Sequence, residues 1–248
     1  MLEKKVNKEL RNLHLWLSVN RLSLNIDKTN FVIIHPYNKP LKYNVTIKIH
    51  KAICEKKSIK YLGVLIDSTL SWKEQISNIS NKLSRAIGIL YKLRPFINTK
   101  IMTNIYYALI YSHLVYAIEV WGSACDTHLT KLITLQNRAI RLITYKDDFP
   151  VIPGPLHPSS PLYLILELLK IKDIFVLETS KFIYKCLNCD IICNFNQWFK
   201  LNCEVHPHTT RSNFINSSLA ITNNLYIPFG RTTHYGLKLI KVRGPKIW

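Results

Sequence analysis

The sequence predicts an α+β fold that is mostly α: a small strand-containing module, a three-helix bundle, and a further helical region with an irregular C-terminal tail. Apolar residues form short β-branched runs before residue 70, and from Ser71 onward they recur every three or four positions. Glycine is scarce, with 7 in 248 residues, which favours helices over loop-built sites. Hydrophobic residues make up 48% of the chain, which is enough to bury a core and excludes a disordered polypeptide.

The first 70 residues are expected to form a helix followed by short strands. The helix is predicted from apolar residues at helical spacing, namely Leu10, Leu13, Trp16 and Leu17. Polar turn signals at Asn20 and Asn25 follow it. Strands are predicted for three β-branched runs: FVIIHP, which Pro36 ends, and residues 45–50 and 59–66.

Three helices are predicted between Ser71 and Tyr145. Ser71 and Glu74 match a capping box, and Pro95 ends the first helix. The first helix carries one apolar stripe, made of Trp72, Ile76, Ile79, Leu83, Ile87 and Leu90. The second helix, from about Thr99 to Val120, is apolar nearly all round. Residues 101–118 within it carry no charge, and a run of 18 such residues reaches the lower bound for a membrane span. The polar residues in this run instead favour a buried core helix.

The third helix, from about Thr127 to Tyr145, has two distinct faces. Its buried face is predicted to contain Leu129, Leu132, Gln136, Ala139, Ile140 and Ile143. Lys131, Arg138 and Arg141 fall on the opposite side and form what we call the basic stripe. Either the basic stripe is a solvated face or it contacts nucleic-acid phosphates.

Proline marks the clearest boundary in the chain, with five of eleven prolines at positions 150–161. The sequence is therefore divided into residues 1–70, 71–149, a linker at 150–161, and 162–248. In the last part, helical apolar spacing resumes over 161–188, at Leu162, Ile165, Leu166, Leu169, Phe175, Phe182, Ile183 and Cys186.

The formal net charge of +19 implies a polyanionic partner. Charge alone leaves anionic membranes open, but no basic amphipathic helix stands out, so nucleic acid is the expected partner and a membrane is not. The charged N-terminus does not resemble a signal peptide. The six cysteines are therefore expected to be reduced in an intracellular protein, nuclear or cytoplasmic and not secreted.

Two motifs suggest metal chemistry. Tyr145-Lys146-Asp147-Asp148 matches the Y-x-D-D string of polymerase metal sites, but Pro150 forbids the second strand that such a hairpin needs. A tetrahedral zinc site could form from Cys186, Cys189, Cys203 and His206. Against zinc, Cys186 lies on the apolar face of its predicted helix, where free cysteine is common.

Several motifs together strongly resemble the reverse transcriptases of jockey-like non-LTR retrotransposons, in the region after their catalytic hairpin. The resemblance rests on an ordered series along the chain: Trp16-Leu-x-x-Asn20, Leu24-Asn25-x-x-Lys28-Thr29, Lys60-Tyr61-Leu62-Gly63-Val64, Trp121-Gly122, Gln136-x-x-Ala139-x-Arg141, His206-x-His208-x-Thr210-Arg211 and Gly244-Pro245-Lys246-Ile247-Trp248. Their order and spacing identify the chain as similar to this family along its length.

The resemblance implies roles for particular residues. Lys28 would lie near the incoming nucleotide's phosphates and is a candidate general acid for departing pyrophosphate. Tyr61, Leu62, Gly63 and Val64 would form the primer grip, in which Gly63 lets another backbone approach closely. Residues 1–70 would be a remnant of the palm, 71–149 the thumb that grips the template–primer duplex, and 162–248 a post-thumb region.

The resemblance also implies that the fingers, most of the palm and the Mg²⁺-binding aspartates precede this sequence in the parent polymerase. Phosphoryl transfer depends on those metals, so we expect this chain alone to bind nucleic acid without copying it, and to hold no cofactor itself. The alternative left open is a non-enzymatic intracellular interaction protein that binds zinc.

Overall fold

A computed structural model describes residues 2–38, 46–49, 51–145, 159–188, 195–201, 205, 225–229 and 238–248. Helices make up 63% and strands 8% of it, which confirms the expected mostly helical α+β class. The chain forms two compact units, residues 1–78 and 79–248. The assignment of palm, thumb, linker and post-thumb regions stays a prediction.

The first unit combines one helix with short strands. Its elements are α1 (Leu2–Val19), a 3₁₀ turn (Ile26–Lys28), β1 (Asn30–Phe31), β2 (Lys48–Ile49), β3 (Lys51–Ala52), β4 (Cys54–Glu55), β5 (Ser58–Tyr61) and β6 (Val64–Asp67). β1 pairs with β4 in parallel, while β2–β3 and β5–β6 are antiparallel pairs. The pairs remain separate two-stranded sheets, so the strands described in this unit build no larger sheet.

α1 is confirmed as a helix, and it ends without a glycine. Arg21 takes the left-handed conformation, with φ of 56°. The Asn20 side chain donates to the carbonyl of Trp16 at 2.8 Å, and the Leu22 amide donates to the carbonyl of Leu17 at 2.9 Å. These bonds satisfy carbonyls that the end of a helix leaves without partners. The polar signal at Asn20 therefore predicted the helix end correctly.

A small hydrophobic core holds α1 against the short strands of the first unit. Ile47 and Ile53 are buried, and Val6, Leu10, Leu24 and Phe31 pack against them. Across the same contact, the Asn7 side chain donates to the carbonyl of Thr46 at 3.1 Å and accepts from the amide of Lys48 at 3.0 Å. The side-chain amide of Asn7 thus fixes the position of β2 along the helix.

The strands differ from those predicted. FVIIHP contributes only Phe31 to a strand, and the described part of 45–50 contributes only Lys48–Ile49. Residues 59–66, predicted as one strand, form a hairpin because Leu62 and Gly63 both have positive φ and reverse the chain. Tertiary position rather than β-propensity decided these lengths.

The helical elements begin with α2, which starts in the first unit and continues into the second. They are α2 (Lys73–Leu93), α3 (Thr99–Tyr106), a π turn (Tyr107–Tyr111), α4 (Ser112–Val115), α5 (Ile118–Trp121), α6 (Asp126–Ile143), α7 (Ser159–Ile165), α8 (Ile171–Leu187), a 3₁₀ turn (Phe195–Trp198) and α9 (Ile240–Ile247). All six residues of the predicted α2 stripe are buried, as is the whole predicted α6 face. Within the second unit, α6 packs against α3, α7 and α8.

The helix predicted from Thr99 to Val120 is interrupted. A π turn replaces regular helix at Tyr107–Tyr111, and Ala117 adopts the left-handed conformation with φ of 53°. The break turns the carbonyl of Tyr116 out of the helix, where it accepts from the indole N–H of Trp121 at 2.9 Å. The broken helix still supplies the core, since its largest fully buried side chains are Met102, Tyr106, Ile110, Leu114, Ile118 and Trp121.

The last region differs in part from its prediction. Tyr163 and Leu168 are buried near α7, whereas Leu162 and Leu166 are half-buried and Ile165 and Leu169 are exposed. The expected irregular tail ends in helix α9, which packs on α8. A Cβ on Gly244 would lie 3.0 Å from Ile183 Cδ1 and 3.2 Å from Phe199 Cε1, so glycine allows this close approach.

The remaining predictions for α8 hold, since Phe175, Ile183 and Cys186 are buried and Phe182 is half-buried. Most of the proline-rich linker, residues 150–158, lies outside the described residues, as does the motif string at 206–211. In the described part of the chain, no helix combines the length and the apolar character needed to cross a bilayer.

Candidate nucleic-acid interface

The predicted primer-grip residues lie together at the tip of the β5–β6 hairpin. Tyr61 pairs with Val64, which leaves Leu62 and Gly63 as a two-residue turn with φ of 45° and 85°. Positive φ at both positions is the type I′ pattern, which normally selects Asn-Gly. Tyr61 and Leu62 are 61% and 75% exposed, whereas Val64 is buried. The hairpin therefore presents a tyrosine and a strained leucine to solvent, where an ordinary turn would carry polar residues.

The base of the hairpin is fastened to the start of α2 by Asp67. One carboxylate oxygen of Asp67 accepts from the Thr69 hydroxyl at 2.7 Å and from the Ser71 amide at 2.9 Å. The other accepts from the Trp72 amide at 2.9 Å. Burial by itself raises the pKa of Asp67, but the bonds from Ser71, Thr69 and Trp72 together outweigh it, so the pKa is lowered.

Asp67 therefore takes the Ser71 amide, which Glu74 of the predicted capping box was expected to satisfy. The distance from Ser71 Oγ to the amide nitrogen of Lys73 is 3.4 Å, which is longer than the hydrogen bonds that Asp67 accepts. A second anchor comes from Gln75, whose side-chain oxygen accepts from the amide of Leu65 at 2.9 Å. Asp67 holds the base of the hairpin through its side chain, and Gln75 holds the backbone of β6, so both anchors leave the tip exposed.

Lys28 lies in the 3₁₀ turn between α1 and β1. Its amide donates to the Asn25 side chain at 3.1 Å, and the Thr29 hydroxyl donates to the Asn25 carbonyl at 2.8 Å. The Asn-x-x-Lys-Thr spacing is thus a locally closed turn, with Asn25 as its cap. The Lys28 side chain is exposed. Its predicted role near nucleotide phosphates stays a prediction.

The basic stripe lies on the exposed face of α6. Lys131, Arg138 and Arg141 are all exposed, while the opposite face of this helix is buried. At about 100° and 1.5 Å per residue, the three side chains fall within a sector of about 80° and span about 15 Å along the axis. Cations at this spacing on one rigid helix can contact successive phosphates of a nucleic acid.

Gln136 sets the position of α6 relative to its neighbours. Its side-chain amide nitrogen donates to the Tyr106 hydroxyl and to the Leu169 carbonyl, both at 2.9 Å. Its side-chain oxygen accepts from the Ile171 amide at 3.1 Å. Burial is the main reason that the pKa of Tyr106 is raised to about 12. One fully buried side chain thus joins α6 to α3 and to the start of α8.

An arginine between two tyrosines is a feature that the sequence reasoning missed. Arg94 Cζ lies 4.3 Å from the ring centroid of Tyr91 and 4.1 Å from that of Tyr145. The available signal was Tyr91 three positions before Arg94, a spacing at which side chains on a helix are neighbours. The contact between Arg94 and Tyr145 could not be foreseen because it depends on how the helices pack.

Comparison with known proteins finds relatives of one kind. The chain is 32% identical over 88 residues to a probable RNA-directed DNA polymerase from transposon X-element of Drosophila melanogaster, covering 34% of the chain and 10% of the relative. It is 33% identical over 88 residues to the RNA-directed DNA polymerase from mobile element jockey of Drosophila funebris, with the same coverage of each chain. The jockey polymerase of Drosophila melanogaster is 28% identical over 97 residues, covering 38% of the chain and 11% of the relative.

The chain contains a region related to the reverse transcriptases of non-LTR retrotransposons. The resemblance seen in the motifs is thereby confirmed for about a third of the chain, and similarity over the rest stays a prediction. The matched segment spans about a tenth of the length of each relative. No protein-family model matches the chain. No solved structure matches it.

The structure does not favour the zinc-binding alternative for this reverse-transcriptase-related chain. Cys186 is buried with Ile183, Phe199 and Leu225, and burial raises the pKa of its thiol, which opposes the thiolate form that zinc binds. The other predicted ligands, Cys189, Cys203 and His206, lie outside the described residues.

The described residues contain no site that matches the two Mg²⁺ ions of a polymerase. Among those residues, no three His, Cys, Asp or Glu side chains come together as potential metal ligands. Asp147 and Asp148 of the Y-x-D-D string are not among them. The described residues therefore do not fit a pair of Mg²⁺ ions, and no catalytic step is assigned to them.

Proposed function

We propose that this chain is the nucleic-acid-holding part of an RNA-directed DNA polymerase of a non-LTR retrotransposon. The observation that carries the proposal is the similarity to the X-element and jockey polymerases. In this proposal α2 to α6 act as the thumb on a template–primer duplex, and the β5–β6 hairpin in the palm remnant contacts the primer end. The Mg²⁺-dependent chemistry belongs to the parent polymerase.

The charge and shape of α6 support the thumb role. The chain has 34 lysines and arginines against 15 acidic residues, so a polyanion would neutralise much of its excess charge. The basic stripe lies on a helix whose other face is locked into the core, so its cations are held at fixed spacing. Contacts of this kind position a duplex through its backbone and read no sequence.

The tip of the β5–β6 hairpin supports the primer-grip role. An exposed leucine with positive φ is disfavoured both by its backbone and by its contact with water. Backbone strain at an exposed tip is typical of positions that contact a ligand. Tyr61 beside it supplies a ring that can pack on a sugar or a base.

The salt dependence of binding tests the thumb role. The variant Lys131→Ala, Arg138→Ala, Arg141→Ala should bind a template–primer duplex more weakly. The slope of log K against log salt should fall by about 0.9 for each lost phosphate contact, or about 2.7 for three. Fluorescence anisotropy over a salt series measures both quantities. Alanine favours helix, so the exposed face of α6 should tolerate these changes.

A matched control removes the same charge elsewhere. Lys4, Lys5 and Lys8 are exposed on α1, and replacing all three by alanine also lowers the net charge by three. This control should keep the wild-type slope if the basic stripe is the contact surface. Equal losses in both triple variants would refute a thumb contact on α6 and leave only non-specific attraction by net charge.

Two further assignments belong to the same proposal. Lys28→Gln should leave duplex affinity unchanged, because Lys28 is assigned to nucleotide phosphates and not to the duplex; a loss of duplex affinity would contradict that assignment. The chain by itself should not extend a primer in the presence of Mg²⁺. Sustained incorporation of deoxynucleotides by the purified chain would overturn that expectation.

A further inference from the structure

Arg94 contacts the rings of both Tyr91 and Tyr145, and we call these three side chains the Arg94 stack. The guanidinium lies over both rings, at 4.3 Å from the centroid of Tyr91 and 4.1 Å from that of Tyr145. Both distances are well inside the range of about 6 Å for cation–π contact. Tyr91 belongs to the last turn of α2, and Tyr145 follows the end of α6. The stack thus connects the C-terminal ends of two helices of the second unit.

The Arg94 stack is open to solvent. Tyr91 is 53% exposed and Tyr145 is 61% exposed, although each ring has one face against the guanidinium. Phe96, two residues after Arg94, is 84% exposed. An exposed cation–π contact stabilises a fold only weakly. Two exposed tyrosine rings against one cation are therefore better explained by a ligand than by folding.

The Arg94 stack follows the basic stripe along the chain. Lys131, Arg138 and Arg141 lie on one face of α6 and span about 15 Å at 1.5 Å per residue. Tyr145 comes two residues after Ile143, the last residue of α6. The cations of the basic stripe are thus followed along the chain by an aromatic platform. A nucleic-acid strand carries the complementary order, with phosphates along its length and bases that can unstack at its end.

We propose that the Arg94 stack is a stacking platform for unpaired nucleobases next to a duplex held by the basic stripe. Every base has a π-face, so tyrosine rings and an arginine plane can bind unpaired bases with little regard to sequence. The +19 charge makes a nucleic acid the complementary occupant. This inference rests on the proposed nucleic-acid-holding function and adds a preference for a junction between paired and unpaired strands.

The test compares two probes on the full chain. One is a blunt, fluorescein-labelled duplex, and the other is the same duplex with a short single-stranded extension. Fluorescence anisotropy should show that the chain binds the extended probe more tightly, by about tenfold for one well-stacked base. Tyr145→Ala should remove this advantage and leave affinity for the blunt duplex unchanged. Tyr145→Phe should keep the advantage, because it retains the ring.

Arg94→Lys provides a second variant with the charge unchanged. Lysine lacks the planar guanidinium that can stack on rings and bases, so this variant should also lose the advantage of the extended probe. The thermal midpoint of each variant checks its folding, and Arg94→Lys decides the matter if Tyr145→Ala is unstable. Phosphate attraction alone would leave Arg94→Lys like the wild type, and that result would overturn the proposal.

The remaining outcomes separate the two proposals. A wild-type chain that binds both probes equally would refute the platform and leave the nucleic-acid-holding function intact. A chain that binds neither probe would refute that function, and the platform with it. Equal losses in Tyr145→Phe and Tyr145→Ala would assign the effect to the hydroxyl and overturn stacking.

Discussion

Replacing Gln136 by leucine should destabilise the second unit strongly although the two side chains are similar in size. Gln136 is fully buried and makes three hydrogen bonds, to the Tyr106 hydroxyl, the Leu169 carbonyl and the Ile171 amide. In the variant, these three groups lie in or near the core and lose the hydrogen-bond partner that Gln136 provided. Each unsatisfied buried group costs about 1–3 kcal/mol.

The expected loss is about 3 kcal/mol. Three unsatisfied groups at about 1–2 kcal/mol each give roughly 3–6 kcal/mol, and the more apolar leucine offsets part of this. For a unit of this size the loss corresponds to a fall in thermal midpoint of about 6–12 °C. Urea unfolding followed by circular dichroism measures it directly, and the m-value should not change. Thr134→Leu, on the exposed face of α6, is the control and should stay within about 0.5 kcal/mol of the wild type.

A double-mutant cycle with Tyr106→Phe tests the physical reason. In the wild type, Tyr106→Phe removes a hydroxyl that Gln136 satisfies, so it should cost free energy of unfolding. In the Gln136→Leu background the same change removes an unsatisfied buried hydroxyl and should be neutral or stabilising. If the two changes are additive, or if Gln136→Leu costs less than about 1 kcal/mol, the hydrogen-bonded role of Gln136 is refuted.

Three further outcomes follow from the same geometry. The pKa of Asp67 is lowered in the folded chain, so its carboxylate stabilises the fold at pH values above the ordinary pKa of 3.8. This contribution is lost as the pH falls through the folded pKa. As the pH is lowered from 6 to 3, the urea midpoint should therefore fall more steeply for the wild type than for Asp67→Asn. Gly122→Ala should destabilise the fold by about 1–3 kcal/mol, because a Cβ there would overlap Phe175. Gly88 has open space around it, so Gly88→Ala should stabilise the fold by about 0.5–1 kcal/mol. Calorimetry that shows the same sign for both variants would contradict this account. Leu62→Asn should stabilise the β5–β6 turn by a few tenths of a kcal/mol yet weaken primer binding if the tip is the primer grip, and unchanged binding would remove that assignment.

The helical faces could be predicted from the sequence because amphipathic periodicity is a local property. Every residue of the predicted α2 stripe and of the predicted α6 face is buried. The same periodicity does not identify the buried residues of α7, because a short helix of seven residues has no long repeat to average over. There the side chain of Tyr163, with its hydroxyl donating to Asn137 at 2.9 Å, decided which face turned inward.

The strands and helix interruptions could not be predicted in this way. A run of β-branched residues does not show where the chain reverses, and at Leu62 the turn uses a residue that turn statistics disfavour. The break at Ala117 depends on the indole of Trp121 reaching the carbonyl of Tyr116. Such partners come from side-chain geometry, which residue type alone does not specify.

For the candidate interface, the sequence determined which residues are basic, that Lys131, Arg138 and Arg141 share one helix face, and which motifs resemble a reverse transcriptase. Only the tertiary structure decided that the YLGV segment is an exposed hairpin tip held by Asp67, and that Arg94 lies between Tyr91 and Tyr145. The physical reason is range. Helical spacing acts over three or four residues, whereas the Arg94 stack joins side chains more than fifty positions apart, which meet only when α2 and α6 pack.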